Sequence, residues 1–411
     1  MKDAFFTVVS PETVLAHLDR FQAMPVETIP LLDCARRVLG RDITASADIP
    51  GFDRAVMDGF AVQAASTFGA SEGSPAYFNR VGEVAMGEAP SLAIGPGQAA
   101  AVATGGMLPR GADSVVVKEQ VRLIDDTLME VYKPVAPGAN MVAADEDFKQ
   151  GRTVLTAGTM LRAQEIGLLA AMGQTKVPVF QKPRIGIISS GDEIVPADTT
   201  PGPGFIRDAN TYSLAALTSD AGGLPVPLGI SPDDYDALYQ KTTAACRECD
   251  LILLSGGSSV GSRDFTLDVI SALPDSEVLT HGIAIRPGKP TILADVGGKP
   301  LWGLPGQVTS AMIVFTVIVK PFLRRIAGLS DPAGREQPLL PAVAGRNIPS
   351  ANGRTDYIRV SLTETDGQLV ANPVFGKSGL FNSMTGADGL VKIDADTEGL
   401  DRGAPVAIIP F

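Results

Sequence analysis

Two apolar runs in this chain stop abruptly in glycine, serine and acid. The first, IGIISSGDEI, ends in Ser189, Ser190, Gly191, Asp192 and Glu193; the second, LILLSGGSSVGSRDF, passes through Ser255, Gly256, Gly257 and Ser258 to Asp264. A glycine loop after a strand leaves backbone N–H groups open to a phosphate, and a helix that follows adds its dipole. A third stretch, HGIAIRPGKPT, sets Arg286 and Lys289 around Pro-Gly in an otherwise apolar segment, two cations on a rigid turn that suit an anion. GLPGQVTSAM supplies another glycine–proline turn, at Pro305, leading into a helix start. Acids complete the set: Asp192, Glu193, Asp208, Asp233 and Asp264 all fall at expected strand ends or helix starts. Carboxylates beside phosphates imply a bridging divalent cation, most often Mg2+, held by few carboxylates plus the substrate's own oxygens.

Each signal has a plainer explanation. The 255–262 loop lacks the P-loop lysine and the G-x-G-x-x-G spacing, so it also reads as a glycine-rich turn. Helix capping accounts for Asp233 and Asp264 as well as catalysis does. Arg286 and Lys289 can be solvated turn charges. His281 either adds charge near them or packs in its strand. IPGFDRAVMDGFAV, with Asp53 and Asp58, and VATGGMLPRGADSVVVKEQ, with Thr104, read as turns before strands.

The chain has 411 residues and a formal net charge of -12. That balance argues against general nucleic-acid binding and against docking on anionic membranes. Global charge does not bar a local anion site: two unit charges about 10 Å apart in water repel by only ~0.4 kcal/mol. The apolar run AMIVFTVIV is too short to span a bilayer, and the N-terminus shows no signal peptide, so a cytoplasmic location is expected. Three cysteines fit a reducing compartment. Cys246 and Cys249 form a C-x-x-C, a spacing that can mean zinc or redox chemistry; without a second pair, and at a helix end rather than a start, they read as two partly buried thiols.

The elements that must hold these residues follow from texture. Ser10-Pro11-Glu12 opens a first helix. From about Ile49 to Asp147, glycine and proline punctuate short apolar strands, and RAQEIGLLAAMG reads as a helix. From Pro183 strands and helices alternate, implying a parallel, doubly wound sheet. Within it SPDDYDALYQKTTAACREC reads as a helix capped by Ser231, another helix is expected from about Asp264, and a long one ends near Ala327. Ligands of such sheets bind beyond the carboxyl ends of the strands where strand order reverses, so the 189–193 and 255–262 loops share one crevice if the first and third strands are neighbours. After residue 330 strand-and-turn texture returns.

In this order, FDRAVMDGFAV, ATGGMLPRGADSVVVKEQ, SSGDEI, FIRDAN, SGGSSVGSRDF, IRPGKPT and GLPGQVTSA resemble the molybdopterin molybdenumtransferase (MoeA-type) family, to which the E domain of gephyrin also belongs. The resemblance covers essentially the whole chain. It implies a multidomain α/β-plus-β protein: an elongated helical part (1–48 and 148–182), an inserted β domain (49–147), a doubly wound molybdopterin-binding α/β domain (183–329) and a C-terminal β barrel (330–411). It further implies an enzyme of molybdenum cofactor biosynthesis that uses Mg2+, molybdate and adenylated molybdopterin and releases AMP. The implied assembly is a homodimer with each site shared between the α/β domain of one chain and the inserted domain of the other, in transient contact with a molybdopterin adenylyltransferase. Carried over by motif, Asp58, Glu193, Asp233 and Asp264 are catalytic, with Glu193 and Asp264 on the metal. Thr104, Ser255, Gly256, Gly257, Ser258, Arg286, Lys289 and Pro305 bind substrate, and Asp147 matches an acid of the inserted domain.

The chain departs from the family pattern at Val142, Ala143 and Ala144, where arginines are usual, at Val308 for a proline, and at Gly282 for a lysine. These departures imply weak discrimination between molybdate and tungstate. The rival functions are molybdopterin adenylyltransferase, which resembles the α/β part alone, and a non-catalytic pterin-binding scaffold.

Overall fold

The computed structural model describes residues 8–256, 265–333 and 339–411, which form two compact units. One unit comprises residues up to 41, 157–163 and 176–411; the other comprises 42–156 and 164–175.

The larger unit is organised by a six-stranded sheet. Its strands are β1 (Arg184–Ser190), β2 (Leu224–Ser231), β3 (Leu251–Ser255), β4 (Ser276–His281), β5 (Ile292–Val296) and β6 (Lys299–Leu304), in the order β2-β1-β3-β6-β5-β4. β2, β1, β3 and β6 run parallel, whereas β5 is antiparallel to both its neighbours, β6 and β4, so the sheet is mixed rather than wholly parallel. A continuous apolar run without alternation marks a strand covered on both faces, and Leu251–Ser255 is buried throughout. The crossovers are α1 (Asn210–Asp220), α2 (Tyr235–Glu248) and α3 (Thr266–Ala272).

The cap of α2 differs from the sequence expectation. Asp234 accepts from the Ala237 N–H at 2.9 Å, whereas Ser231 completes β2. A strand needs its last residue in the ladder, so the chain leaves the sheet for three residues before the helix begins. That frees Asp233 from capping. At the other end of α2, burial pushes the Cys246 thiol up to about 11 and also raises Cys249, and Lys299 donates to both cysteine carbonyls. These thiols are inert at neutral pH, as the isolated C-x-x-C suggests.

The expected long helix after β6 spans Val308–Val314, a π turn at Phe315–Val319, and Lys320–Ile326. It fills the core beside Trp302. The Phe322 ring lies edge-on to both Trp302 and Phe21, at 5.0 and 5.7 Å, and all three are fully buried. Ser10 caps the opening helix Pro11–Leu15 as expected, and Val26–Pro30 pairs antiparallel with Lys176–Phe180.

The C-terminal strands close into a five-stranded barrel. Thr355–Thr365 pairs with both Gln368–Pro373 and Gly389–Ile393, and Leu340–Ala344 and Pro405–Pro410 complete the circuit. Two residues bind this barrel to the sheet domain's cationic turn: Ile285 and Arg286 run parallel beside Thr355 and Asp356.

The smaller unit carries a curled six-stranded sheet in the order 114–117, 59–62, 98–102, 76–84, 128–131 and 121–123. Four of these strands lie where apolar runs were expected. Ala76–Val84 carries no apolar alternation to mark it, because Arg80 and Gly82 stand on its inward face and Tyr77 and Val81 on its exposed one.

Phe322→Ala removes the ring that contacts both Phe21 and Trp302. It is expected to cost about 3–5 kcal/mol, read as a lowered denaturation midpoint; a loss below about 1 kcal/mol would show that this cluster does not anchor the core.

Candidate functional site

The register Ser189↔Ser255 aligns the carboxyl ends of β1 and β3. Strand order reverses there, because β2 lies on the other side of β1, and this is where an open α/β sheet offers a crevice. A cavity of about 1500 Å³ lies at this end, lined by Ser190, Gly191, Glu193, Asp208, Asn210, Asp233 and Gly256, among others. Backbone approach sets its floor. A Cβ on Gly256 would lie 2.1 Å from the Ser190 carbonyl oxygen, and Gly256 has φ +114°, so only glycine fits.

The polar residues divide into supports and free groups. Ser255 is fully buried and is not part of the cavity lining; Asn210 Nδ2 donates to its Oγ at 2.5 Å and to the Gly306 carbonyl at 2.8 Å. One amide therefore ties β3 to the Pro305–Gly306 turn, and Pro305 lines the cavity. Asp208 accepts from Ser189 Oγ and from the Thr211 N–H, latching the end of β1 to α1. Asp233 accepts from Ser190 Oγ at 3.0 Å and donates its own N–H to Asp192 at 3.0 Å. Asp192 is thus a support outside the lining, whereas Glu193 and Asp233 reach the cavity. Gly257, Ser258 and Asp264 lie outside the described residues. Among the described residues no group of three or more His, Cys, Asp or Glu could hold a metal ion.

Arg286 and Lys289 line the same cavity. Their turn is tight: Gly288 has φ +110°, and a Cβ there would lie 2.2 Å from Val314 Cγ2. Burial lowers the pKa of His281, so at neutral pH it adds no charge. Sequence analysis missed Arg207 and Arg354, which also line the cavity. Arg354 comes from the C-terminal barrel, and only the pairing of that barrel with the cationic turn brings it here.

In the smaller unit, Asp58 and Thr104 form a site of their own. Asp58 Oδ1 accepts from the Thr104 N–H at 2.9 Å and from the Thr104 hydroxyl at 2.8 Å, and Lys118 Nζ lies 3.6 Å from Oδ2. The backbone donor first, then the hydroxyl, hold the Asp58 carboxyl below its ordinary pKa. Nearby, Asp53 accepts from the Ala144 N–H, the Asp147 N–H donates to the Ile49 carbonyl, and Val142 pairs with Arg54.

A sheet crevice lined by both carboxylates and cations, joined to a β barrel, defines a class of multidomain α/β protein. Comparison with known proteins specifies it. Residues 9–173 match the MoeA N-terminal region (domain I and II), 186–325 a probable molybdopterin binding domain, and 341–411 the MoeA C-terminal region (domain IV). The chain is 31% identical to a molybdopterin molybdenumtransferase of Bacillus subtilis, over 93% of this chain and 89% of that protein. A protein of the same name from Staphylococcus aureus is 30% identical over 97% and 94%. The crystal structure of a molybdopterin biosynthesis MoeA protein from Pyrococcus horikoshii OT3 superposes with a TM-score of 0.84 at 31% identity, covering 98% of this chain and all of that one. The chain belongs to the molybdopterin molybdenumtransferase family.

Thr104→Val deletes one of the two main donors to Asp58 and keeps the backbone N–H. The Asp58 pKa is expected to rise toward the ordinary carboxylate value, so the carboxylate becomes protonated at a higher pH than in the parent. Carboxyl-carbon NMR titration checks this; an unmoved pKa would show that the hydroxyl does not hold the charge.

Proposed function

We propose that this chain is a molybdopterin molybdenumtransferase that accepts adenylated molybdopterin and molybdate, releases AMP and leaves the metal on the pterin dithiolene, in molybdenum cofactor biosynthesis. The carrying observation is one crevice lined both by Glu193 and Asp233 and by Arg286, Lys289 and Arg354. Cations alone would suit any anion; carboxylates on the same wall suit an anion that arrives with a divalent cation. Relatives named molybdopterin molybdenumtransferase, matched along nearly their full length, support the reading.

Glu193, which lines the cavity, and Asp264, outside the described residues, are the carboxylates that would hold Mg2+; a site of few carboxylates completed by substrate phosphate is the usual protein environment of that ion. The ion would supply positive charge to the phosphoanhydride oxygens. Asp233, oriented by Ser190, positions the water that cleaves the phosphoanhydride. Arg286 and Lys289 hold anionic oxygens; Gly256 lines the same cavity, Ser255 supports it from behind, and Gly257 and Ser258, proposed to bind the same anion, lie outside the described residues.

The same proposal includes the four-domain division at residues 48, 147, 182 and 329, a homodimer in which Asp58 and Thr104 complete the partner copy's site, and transient contact with a molybdopterin adenylyltransferase. The proposal places the reaction in the cytoplasm. No helix among the described residues is long and apolar enough to cross a membrane.

Asp264→Asn is expected to keep the fold and much of the pterin affinity but to lose AMP release from adenylated molybdopterin. Asparagine caps helices nearly as well as aspartate, so near-parental AMP release would eliminate the catalytic role. For the shared site, mixing inactive Asp58→Ala and Asp264→Ala proteins should restore part of the activity, since a mixed dimer keeps one intact site. A mixture as inactive as its parents, with subunit exchange verified by mass spectrometry, would count against it.

A further inference from the structure

Asp356, on the barrel strand Thr355–Thr365, is completely buried, yet only one of its oxygens is served. Arg354 Nε donates to Oδ1 at 2.9 Å; among the described residues Oδ2 has no hydrogen-bond donor, and it lies 4.0 Å from Arg286 Nη1. Both arginines line the cavity, with side chains 36% and 64% exposed. One buried carboxylate thus stands behind two cations of different domains, joined by the backbone pairing of Ile285–Arg286 with Thr355–Asp356.

For stability alone this is a poor arrangement. A buried charge with an unserved oxygen costs free energy, and its two partners are exposed enough for water to solvate them without it, so the ion pairs return little. A staple between barrel and sheet would work as well with asparagine. What asparagine cannot do is offset the mutual repulsion of two guanidinium groups facing one ligand.

We propose that Asp356 is a positioning residue for the substrate anion. It touches no substrate. Its charge holds the Arg286 and Arg354 guanidinium groups together so that both meet the same oxyanion, and leaves the pair with a net positive charge. The inference rests on the cavity being the anion-binding site.

The test uses the full chain, inorganic pyrophosphate as probe, and titration calorimetry alongside thermal melting. Asp356→Asn should melt at or above the parental temperature and bind pyrophosphate about tenfold more weakly. In an Arg354→Gln background the same change should have a smaller effect, because one of its two clients is gone. With adenylated molybdopterin, KM should rise more than kcat falls. If Asp356→Asn binds as the parent does while the Arg286→Gln/Arg354→Gln variant does not, the positioning role is overturned and the anion site stands. A melting temperature lowered by several degrees, with an undiminished effect in the Arg354→Gln background, would make Asp356 a structural residue and overturn the proposal. A parent protein that fails to bind pyrophosphate would remove the anion site and the proposal together.

Discussion

The parallel pairing of β1 with β3 is the constraint on which the site depends. It ends at Ser189 and Ser255, so two loops distant in sequence leave the sheet side by side. The chain can make that exit only because Gly256 carries no side chain: a single methyl group would collide with the Ser190 carbonyl. Everything polar nearby is arranged around this contact. Asn210 clamps Ser255 to Gly306, Asp208 ties the end of β1 to α1, and Ser190 turns its hydroxyl to Asp233.

An acidic chain hosting an anion is no contradiction once the charges are placed. Screening confines the field of exposed charges to about a Debye length of ~8–10 Å. The cavity lining gathers Arg286 and Lys289 on a rigid turn, with Arg354 and Arg207 added from elsewhere. Glu193 and Asp233 share the lining, which makes the crevice bipolar rather than merely cationic. Such a lining suits the proposed ligand, a phosphate with a bound divalent cation.

The barrel is more than an appendage in this arrangement. Its pairing with Ile285–Arg286 uses only two residues, but Tyr357, Met384 and Leu390 join the core that contains Trp302 and Phe322. Thr309, at the start of the helix after β6, donates both its N–H and its hydroxyl to the Ser378 carbonyl of a barrel loop. A barrel fixed at these points can present Arg354 to the cavity with little freedom.

Sequence alone determined the features that depend on near neighbours. Apolar runs broken by glycine located β1 and β3, Ser10-Pro11-Glu12 located a helix start, and the ordered motifs identified the family and, of the crevice lining, Glu193, Asp208, Asp233, Arg286 and Lys289. Tertiary structure decided what depends on distant contacts. One strand of the sheet, β5, runs against its two neighbours, a matter of connection rather than composition. Ser231 proved to end a strand, because a ladder of hydrogen bonds to β1 outweighs one cap, and Asp234 took the capping role. Ser255, expected to bind substrate, is buried behind Asn210. Nothing in GRTDYIR marks Arg354 as a residue of the cavity or Asp356 as the carboxylate buried behind it. Their role arises from a strand pairing between residues about 70 apart, and hydrogen bonding at that separation is set by the packing of whole domains.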